Sequence, residues 1–234
     1  MKKVHRFIIE TDLGTSLEIH DAQLLDQWAK VLKFKVGEEI ELCDGRGKEA
    51  TYHIVSLKKS GVTLERVGAI RKNQAESKVH ATLYAAVLKK DLLELVMQKA
   101  TECGVSEIVP LVTDRTVKKS VKLERLREIA KEAAEQSGRG KAPNIHEPLS
   151  VKAALAHAKM NAANYFFHVG DGKSEIFKGA KKEGVRIGLF IGPEGGWSDE
   201  EATSATAAGM ITASLGPRVL IGETASIIAA FLAN

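Results

Sequence analysis

The sequence predicts an α/β protein in which a small β-barrel domain, residues 1–72, precedes a larger domain, residues 73–234, built on a parallel sheet. Short β-branched and alternating segments dominate the first 72 residues, which is typical of a small β domain. Apolar strand-like segments then alternate with helical stripes to the end of the chain, as in βαβ units. The polar segment 71–78 separates the two patterns, so we expect the domain linker there.

One helix and five strands are expected in the first domain. The helix spans 22–32, where apolar residues recur at helical spacing. Turn signals around Asp44-Gly45 and Ser60-Gly61 fall where hairpin loops are needed. The predicted strands are 4–10, 16–20, 39–43, 51–57 and 62–67.

In the second domain, strands and helices are expected in regular alternation. The predicted strands are 81–88, 107–112, 165–169, 186–191 and 211–215. The predicted helices are 91–103, 123–138, 151–163, 174–183, 198–209 and 224–233. Parallel sheets bind ligands outside the carboxyl ends of their strands, so the loops after the strands are the candidate site.

Composition and cysteine content exclude several classes of protein. With 44% hydrophobic and 27% charged residues, the chain is neither collagen-like nor disordered. It has no apolar run long enough to span a membrane and no signal-type start, so a soluble, cytoplasmic protein is expected. Cys43 and Cys103 have no Cys or His at metal-ligand spacing nearby, so neither a disulfide framework nor a metal site is expected.

Positive charge is concentrated in one stretch of the chain. The net charge is only +4, but nine Lys or Arg residues stand against four Glu between residues 115 and 141. This excess makes the stretch a candidate phosphate-contacting surface. A solvated helix face with Glu–Arg pairs explains the same pattern, and both interpretations stay open.

Three glycine-rich loops follow predicted strands near the carboxyl end, at 170–172, 192–196 and 215–218. The middle loop, Gly-Pro-Glu-Gly-Gly, enters a helix at Ser198 and Glu201, which have the spacing of a capping box. Glycines there let a ligand approach the backbone amides. The loop lacks the Gly-Lys-Ser/Thr of a P-loop and the Gly-x-Gly-x-x-Gly of a dinucleotide fold, which disfavours ATP and NAD.

These loops resemble the carboxyl-terminal signatures of the RsmE family of 16S ribosomal RNA uridine-N3 methyltransferases. The signatures are Ile-Gly-Pro-Glu-Gly-Gly-Trp-Ser at 191–198 and Leu-Gly-Pro-Arg-Val-Leu at 215–220, with Glu-Thr-Ala at 223–225. Segments 5–7, 99–105 and 135–139 are similar to further parts of the family pattern. Two positions depart from it: Trp197 replaces a smaller residue, and Ile221 stands where the family usually has arginine.

The resemblance implies a PUA-like amino-terminal barrel followed by a SPOUT-type parallel sheet with a trefoil knot. It also implies S-adenosylmethionine as the cofactor, a homodimer, and 16S rRNA, within the small ribosomal subunit, as the partner. The cofactor-binding residues are then expected in the loops that follow the strands. They are Val169, Gly170, Ile191, Gly192, Gly196, Leu215, Gly216, Leu220 and Thr224.

Methylation of uridine N3 requires loss of a weakly acidic proton, so a base or a nearby cation is needed. Arg218 and Arg139, the latter from a partner subunit, are the candidate cations, and Glu194 or Glu223 is the candidate base. The alternative to these catalytic roles is that Arg218 and Glu223 form an ion pair that only supports the structure. The expected RNA-binding residues are Arg6, Lys89, Arg115, Lys118, Lys119, Arg139 and Lys141.

Two other functions fit the same pattern. One is a SPOUT methyltransferase that acts on another RNA or another base atom. The other is a non-catalytic RNA-binding assembly factor of the same fold, which the isoleucine at position 221 favours.

Overall fold

The computed structural model describes residues 4–117, 120–168 and 182–234, and contacts divide the backbone into two units. The first unit consists of Met1–Glu76 with Ala134–Ala142, and the second of Ser77–Ala133 with Pro143–Asn234. The domain boundary expected between residues 72 and 73 stays a prediction.

A five-stranded sheet with the order β1-β3-β4-β5-β2 forms the first unit. β1 pairs parallel with β3, and the other neighbours are antiparallel. The side chains of Trp28, Tyr52, Ile40 and Leu42 fill its core. The strands are β1 (His5–Ile8), β2 (Ser16–Ile19), β3 (Glu39–Cys43), β4 (Lys48–Lys58) and β5 (Gly61–Lys72).

The helix expected at 22–32 divides into α1 (Ala22–Asp26) and a π-helical turn (Gln27–Val31). The Asp21 side chain caps α1 by accepting a hydrogen bond from the backbone N–H of Leu24, 2.9 Å away. The wider π turn carries Trp28, which is fully buried against Phe7. The periodicity of the sequence predicted a helix here but not the change of pitch.

A parallel sheet with the order β12-β10-β11-β6-β7-β8 forms the second unit, and β9 also pairs with β7. Its strands are β6 (His80–Ala86), β7 (Glu107–Val112), β8 (Asn144–Ile145), β9 (Leu149–Ser150), β10 (Ala163–Phe167), β11 (Arg186–Ile191) and β12 (Ile211–Ala213). The short strands β8 and β9 were not predicted, because two residues carry no periodicity. Continuous apolar sequences in β6 and β11 match strands that are buried on both faces.

Helices cover both faces of this sheet, as two separate apolar clusters show. They are α2 (Lys90–Glu102), α3 (Leu123–Ser137), α4 (Val151–His157), which continues as a 3₁₀ turn (Ala158–Met160), α5 (Asp199–Ala207) and α6 (Gly222–Ala233). The helix predicted at 174–183 lies outside the described residues. No helix in the described part of the chain has both the length and the apolar character needed to cross a membrane.

The predicted fold class, a small β domain before a parallel α/β domain, is therefore confirmed. The trefoil knot stays a prediction, because strand order does not specify how the loops thread.

Candidate functional site

A cavity of about 500 Å³ opens at the carboxyl ends of β10, β11 and β12, which are neighbours in the sheet. Its walls come from the last residue of each strand and the residues that follow it. They are Phe167 and His168 at the end of β10, residues 191–194, 196 and 197 at the end of β11, and residues 213–222 with Ala225 at the end of β12. The position agrees with the rule for ligand sites in parallel sheets.

Trp197 forms part of the cavity wall and explains why residue 192 is glycine. The indole is 4% exposed, stacks on Phe166 with ring centroids 4.6 Å apart, and donates from Nε1 to the carbonyl of Phe167 at 2.9 Å. A Cβ atom on Gly192 would lie 3.0 Å from Cε2 of Trp197, closer than carbon atoms normally pack. The glycine therefore lets this large ring lie flat against the backbone.

Gly196 has a different requirement, because its backbone φ is +70°. Its N–H donates to the carbonyl of Pro193 at 2.8 Å and closes a turn over residues 193–196. The side chain of Arg115 donates to the carbonyl of Gly195 at 2.7 Å and so holds the turn from outside. Together these bonds fix the backbone that faces the cavity.

Glu201 joins the glycine loop to the loop that follows β7. The predicted capping box is present: Ser198 Oγ accepts from the Glu201 N–H, and Glu201 Oε2 accepts from the Ser198 N–H at 2.9 Å. Glu201 Oε1 also accepts from the backbone N–H of Asp114 at 2.9 Å. The carboxylate is 6% exposed, so both loops depend on one buried charge.

Most of the predicted cofactor-binding residues lie in this cavity wall. Thr224, in the first turns of α6, does not line it. Val169 and Gly170 lie outside the described residues. The lining residues are Ile191, Gly192, Gly196, Leu215, Gly216 and Leu220.

The four candidate catalytic residues occupy different environments. Arg218 and Glu194 are exposed and line the cavity. Glu223 is 9% exposed, and its Oε2 has no hydrogen-bond partner among the described residues. No ion pair joins Arg218 to Glu223 in the described chain, which argues against the structural alternative.

Arg139 lies in the first unit and does not line the cavity. Its side chain is 2% exposed and donates to Glu76 Oε2 at 3.2 Å. Glu76 Oε1 also accepts from the backbone N–H groups of Gly140 and Lys141. This placement favours a structural role for Arg139 over the expected contact with RNA or with the reacting base.

The predicted RNA-binding residues are likewise divided. Lys89 and Arg115 are exposed, and Lys141 is half-buried. Arg6 donates to Glu49 at 2.6 Å and its side chain is only 20% exposed, so its charge is largely compensated. Lys118 and Lys119 lie outside the described residues.

Within the basic stretch 115–141, two arginines of α3 form Glu–Arg pairs, as expected for a solvated helix face. Arg125 and Arg127 each pair with a glutamate three positions away, at Glu128 and Glu124. The pairs are those of a solvated helix face, so these two charges are not free for phosphate.

The sequence analysis did not assign several residues of the cavity wall. His168 and Ser214 are polar members of this group. Each directly follows a strand that the sequence predicts, β10 or β12, so this position could have identified both residues. The others are Phe167, Pro193, Ala213, Pro217, Val219, Gly222 and Ala225.

Comparisons with known proteins identify a family for this chain. The profile described as "RNA methyltransferase domain" matches residues 75–234, and that described as "RNA methyltransferase PUA domain" matches 29–65. The ribosomal RNA small subunit methyltransferase E of Rickettsia conorii is 29% identical over 97% of this chain and 93% of its own length.

Solved structures show the same similarity. The Neisseria gonorrhoeae ribosomal RNA small subunit methyltransferase E, bound to S-adenosylmethionine, has a TM-score of 0.87 and 28% identity over 97% of this chain and 95% of its own. A Legionella pneumophila protein in complex with the same cofactor has a TM-score of 0.87 and 31% identity, covering 98% of this chain and 96% of its own.

Proposed function

We propose that this chain methylates N3 of a uridine in 16S rRNA with S-adenosylmethionine. The premise is that the chain belongs to the ribosomal RNA small subunit methyltransferase E family of RNA methyltransferases. Family membership confirms the resemblance seen in the sequence. The observation that carries the proposal is the cavity at the carboxyl ends of three adjacent strands, walled by the signature loops. It supports a catalytic protein over an RNA-binding assembly factor, because six of the predicted cofactor-binding residues line one cavity.

The residues of the cavity fit the cofactor. Ile191, Leu215 and Leu220 offer apolar surface for an adenine ring, and the glycine loops offer backbone groups for its polar edge. Gly192 leaves room for the Trp197 ring in the wall, and Gly196 holds the positive φ that its turn requires. When bound, S-adenosylmethionine would supply a methyl group on a positively charged sulfonium, from which a neutral thioether departs as a good leaving group.

The protein's contribution is to position the base and to favour its anionic form. Loss of the N3 proton places negative charge on the uracil oxygens, and we assign Arg218, which is exposed in the cavity wall, as the cation that stabilises this charge. Glu194, exposed in the cavity wall, is our first candidate to take the proton, and Glu223, which is buried and does not line the cavity, is the second. The uridine must be unpaired or extruded to enter the cavity.

We further propose a cytoplasmic location, because the proposed substrate is ribosomal RNA, and a homodimer, because α6 exposes apolar side chains. On α6, Phe231 is 69% exposed and Leu232 is 38% exposed, an apolar surface at the end of a helix. A two-fold contact between copies of the chain would cover it. Light scattering should report a dimer at micromolar concentration, and a monomer would contradict the proposal.

Calorimetric titration of Gly196→Val with S-adenosylmethionine tests the cofactor site. The variant should lose binding, because a β-branched residue cannot hold the φ of +70° at position 196, and the turn over residues 193–196 that faces the cavity would shift. Gly209→Val is the matched control: Gly209 has a similar φ of +76° but open space around it, so it shares the backbone strain without touching the site. Equal affinity in both variants would exclude this loop as the cofactor site.

Mass spectrometry of rRNA nucleosides, with and without the gene, tests the substrate. We expect 3-methyluridine in 16S rRNA to disappear with the gene. Arg218→Ala should slow methyl transfer by roughly ten- to a hundredfold, the value of one charge-assisted hydrogen bond, with cofactor affinity unchanged. Arg218→Lys should recover part of the rate, because it keeps the charge but not the guanidinium geometry.

A further inference from the structure

A second cluster of polar side chains lies at the amino ends of the strands, opposite the cofactor cavity. Glu107 opens β7, and its side chain is 13% exposed. Its Oε2 lies 2.8 Å from His146 Nε2, and the ring centroids of His146 and His157 are 5.1 Å apart. One ligand atom from each of these three residues lies within 4.8 Å of the other two.

The groups around this cluster supply a second layer of hydrogen bonds. His80 and Arg186, at the first positions of β6 and β11, lie 2.6 Å and 2.8 Å from Glu107 Oε1. Tyr84 Oη lies 2.7 Å from Nδ1 of His157. Such outer contacts orient carboxylate and imidazole ligands in metal sites and leave one oxygen or nitrogen of each directed inward.

We propose that Glu107, His146 and His157 bind a divalent transition-metal ion such as Zn²⁺, with water completing the coordination. Two imidazoles and one carboxylate form a known three-ligand set for zinc. Metal–ligand bonds near 2 Å place ligand atoms about 3.3 Å apart in a tetrahedron, so the half-exposed histidines need to move by about 1 Å. The ion would join β7, the segment after β8 and the end of α4.

This role is structural and independent of the proposed methyl transfer, since the cavity lies at the carboxyl ends of β10, β11 and β12, whereas Glu107 opens β7. The proposed metal site also differs from the prediction of no metal, which was based only on the absence of Cys or His at ligand spacing near the two cysteines. The three ligands are separated by 39 and 11 residues, a spacing that matches no short motif.

The test is titration of the untagged, metal-free protein with Zn²⁺ by calorimetry and with Co²⁺ by visible absorption. We expect one ion per chain, at micromolar affinity or tighter, and a tetrahedral Co²⁺ spectrum. His146→Ala and His157→Ala should each weaken binding by at least about a hundredfold. His146→Gln and His157→Gln serve as replacements if an alanine variant fails to fold.

His53→Ala is the matched control. His53 pairs with Glu39 at 2.8 Å but lies in no three-ligand cluster of the described residues, so its loss should leave zinc affinity unchanged. No binding to the wild-type protein, or binding that both cluster variants retain, would overturn the proposal. Methyl transfer after chelation should be unchanged, so failure of the metal site and failure of the proposed function are separable.

Discussion

Replacing Glu201 by alanine should destabilise the cofactor loop more than any other single change in α5. The carboxylate accepts two hydrogen bonds, from the backbone N–H groups of Ser198 and Asp114, and is 6% exposed. Hydrogen bonds to charged groups contribute about 1.5–3 kcal/mol each. Because water can reach part of the half-buried Ser198 backbone, we expect a total cost of about 3 kcal/mol for Glu201→Ala.

For a chain of this size, 3 kcal/mol corresponds to a decrease in Tm of roughly 6–12 °C. Differential scanning calorimetry measures the change directly. S-adenosylmethionine affinity should fall by roughly tenfold, about 1.4 kcal/mol, since the glycine loop loses its link to the loop after β7. Glu201→Gln should give an intermediate effect, because the amide keeps one acceptor.

Glu200→Ala is the matched control for Glu201→Ala. Glu200 is exposed in the same first turn of α5, so it contributes the same charge near the helix N-terminus. Its loss should change the free energy of unfolding by less than about 1 kcal/mol. If the two variants had the same Tm and cofactor affinity, the role assigned to Glu201 would be wrong.

Two further predictions concern Trp197 and the first unit. Gly192→Ala should lower the free energy of unfolding by about 1–3 kcal/mol and weaken cofactor binding, because the new Cβ displaces the Trp197 ring. The control Gly209→Ala, at a position with open space around it, should leave cofactor binding intact. Equal cofactor affinities of the two variants in calorimetric titrations would contradict this prediction. Burial acts to raise the pKa of Glu49, but hydrogen bonds from Arg6 and Asn73 lower this pKa overall. The ionised carboxylate therefore stabilises the first unit at any pH above its ordinary pKa, and this stabilisation is lost as the pH falls through the lowered pKa. Unfolding followed by Trp28 fluorescence should therefore show stability falling with acid in the wild type, and an equally steep fall in Glu49→Gln would refute the assignment.

The cofactor cavity could be predicted from the sequence because the patterns that indicate it are local. Glycine loops after strands and the Ser198–Glu201 capping box depend on residues close together in sequence, and the structure contains both. The cluster around Glu107 could not be predicted in this way. Its members come from β7, the segment after β8 and α4, and they meet only because parallel pairing aligns the strands.

Burial was the other property that the sequence did not reveal. Arg139 and Arg115 are both arginines in the basic stretch, yet Arg139 is buried on Glu76, whereas Arg115 is exposed and bonds the glycine loop. Charge counting does not distinguish them, because the partner carboxylate and carbonyl are 63 and 80 residues away. Only the tertiary structure distinguishes a charge that is available to RNA from one that holds two segments together.

The departure at position 221 leads to a last prediction, for the variant Ile221→Arg. Ile221 is 60% exposed at the rim of the cavity and is the N-cap of α6, where its side chain makes no capping bond. An arginine there fits sterically but adds positive charge at a helix N-terminus, at a cost of about 0.3–1 kcal/mol.

If Arg218 already supplies the cation for the uridine, Ile221→Arg should change the single-turnover rate of methyl transfer by less than about threefold, within roughly 0.6 kcal/mol. Ile221→Met keeps the apolar length without the charge and separates packing from electrostatics. A gain of tenfold or more with arginine but not with methionine would show that Arg218 does not fill the role. The isoleucine would then mark a site whose charge stabilisation is incomplete within this chain, and the cation would have to come from elsewhere in the assembly.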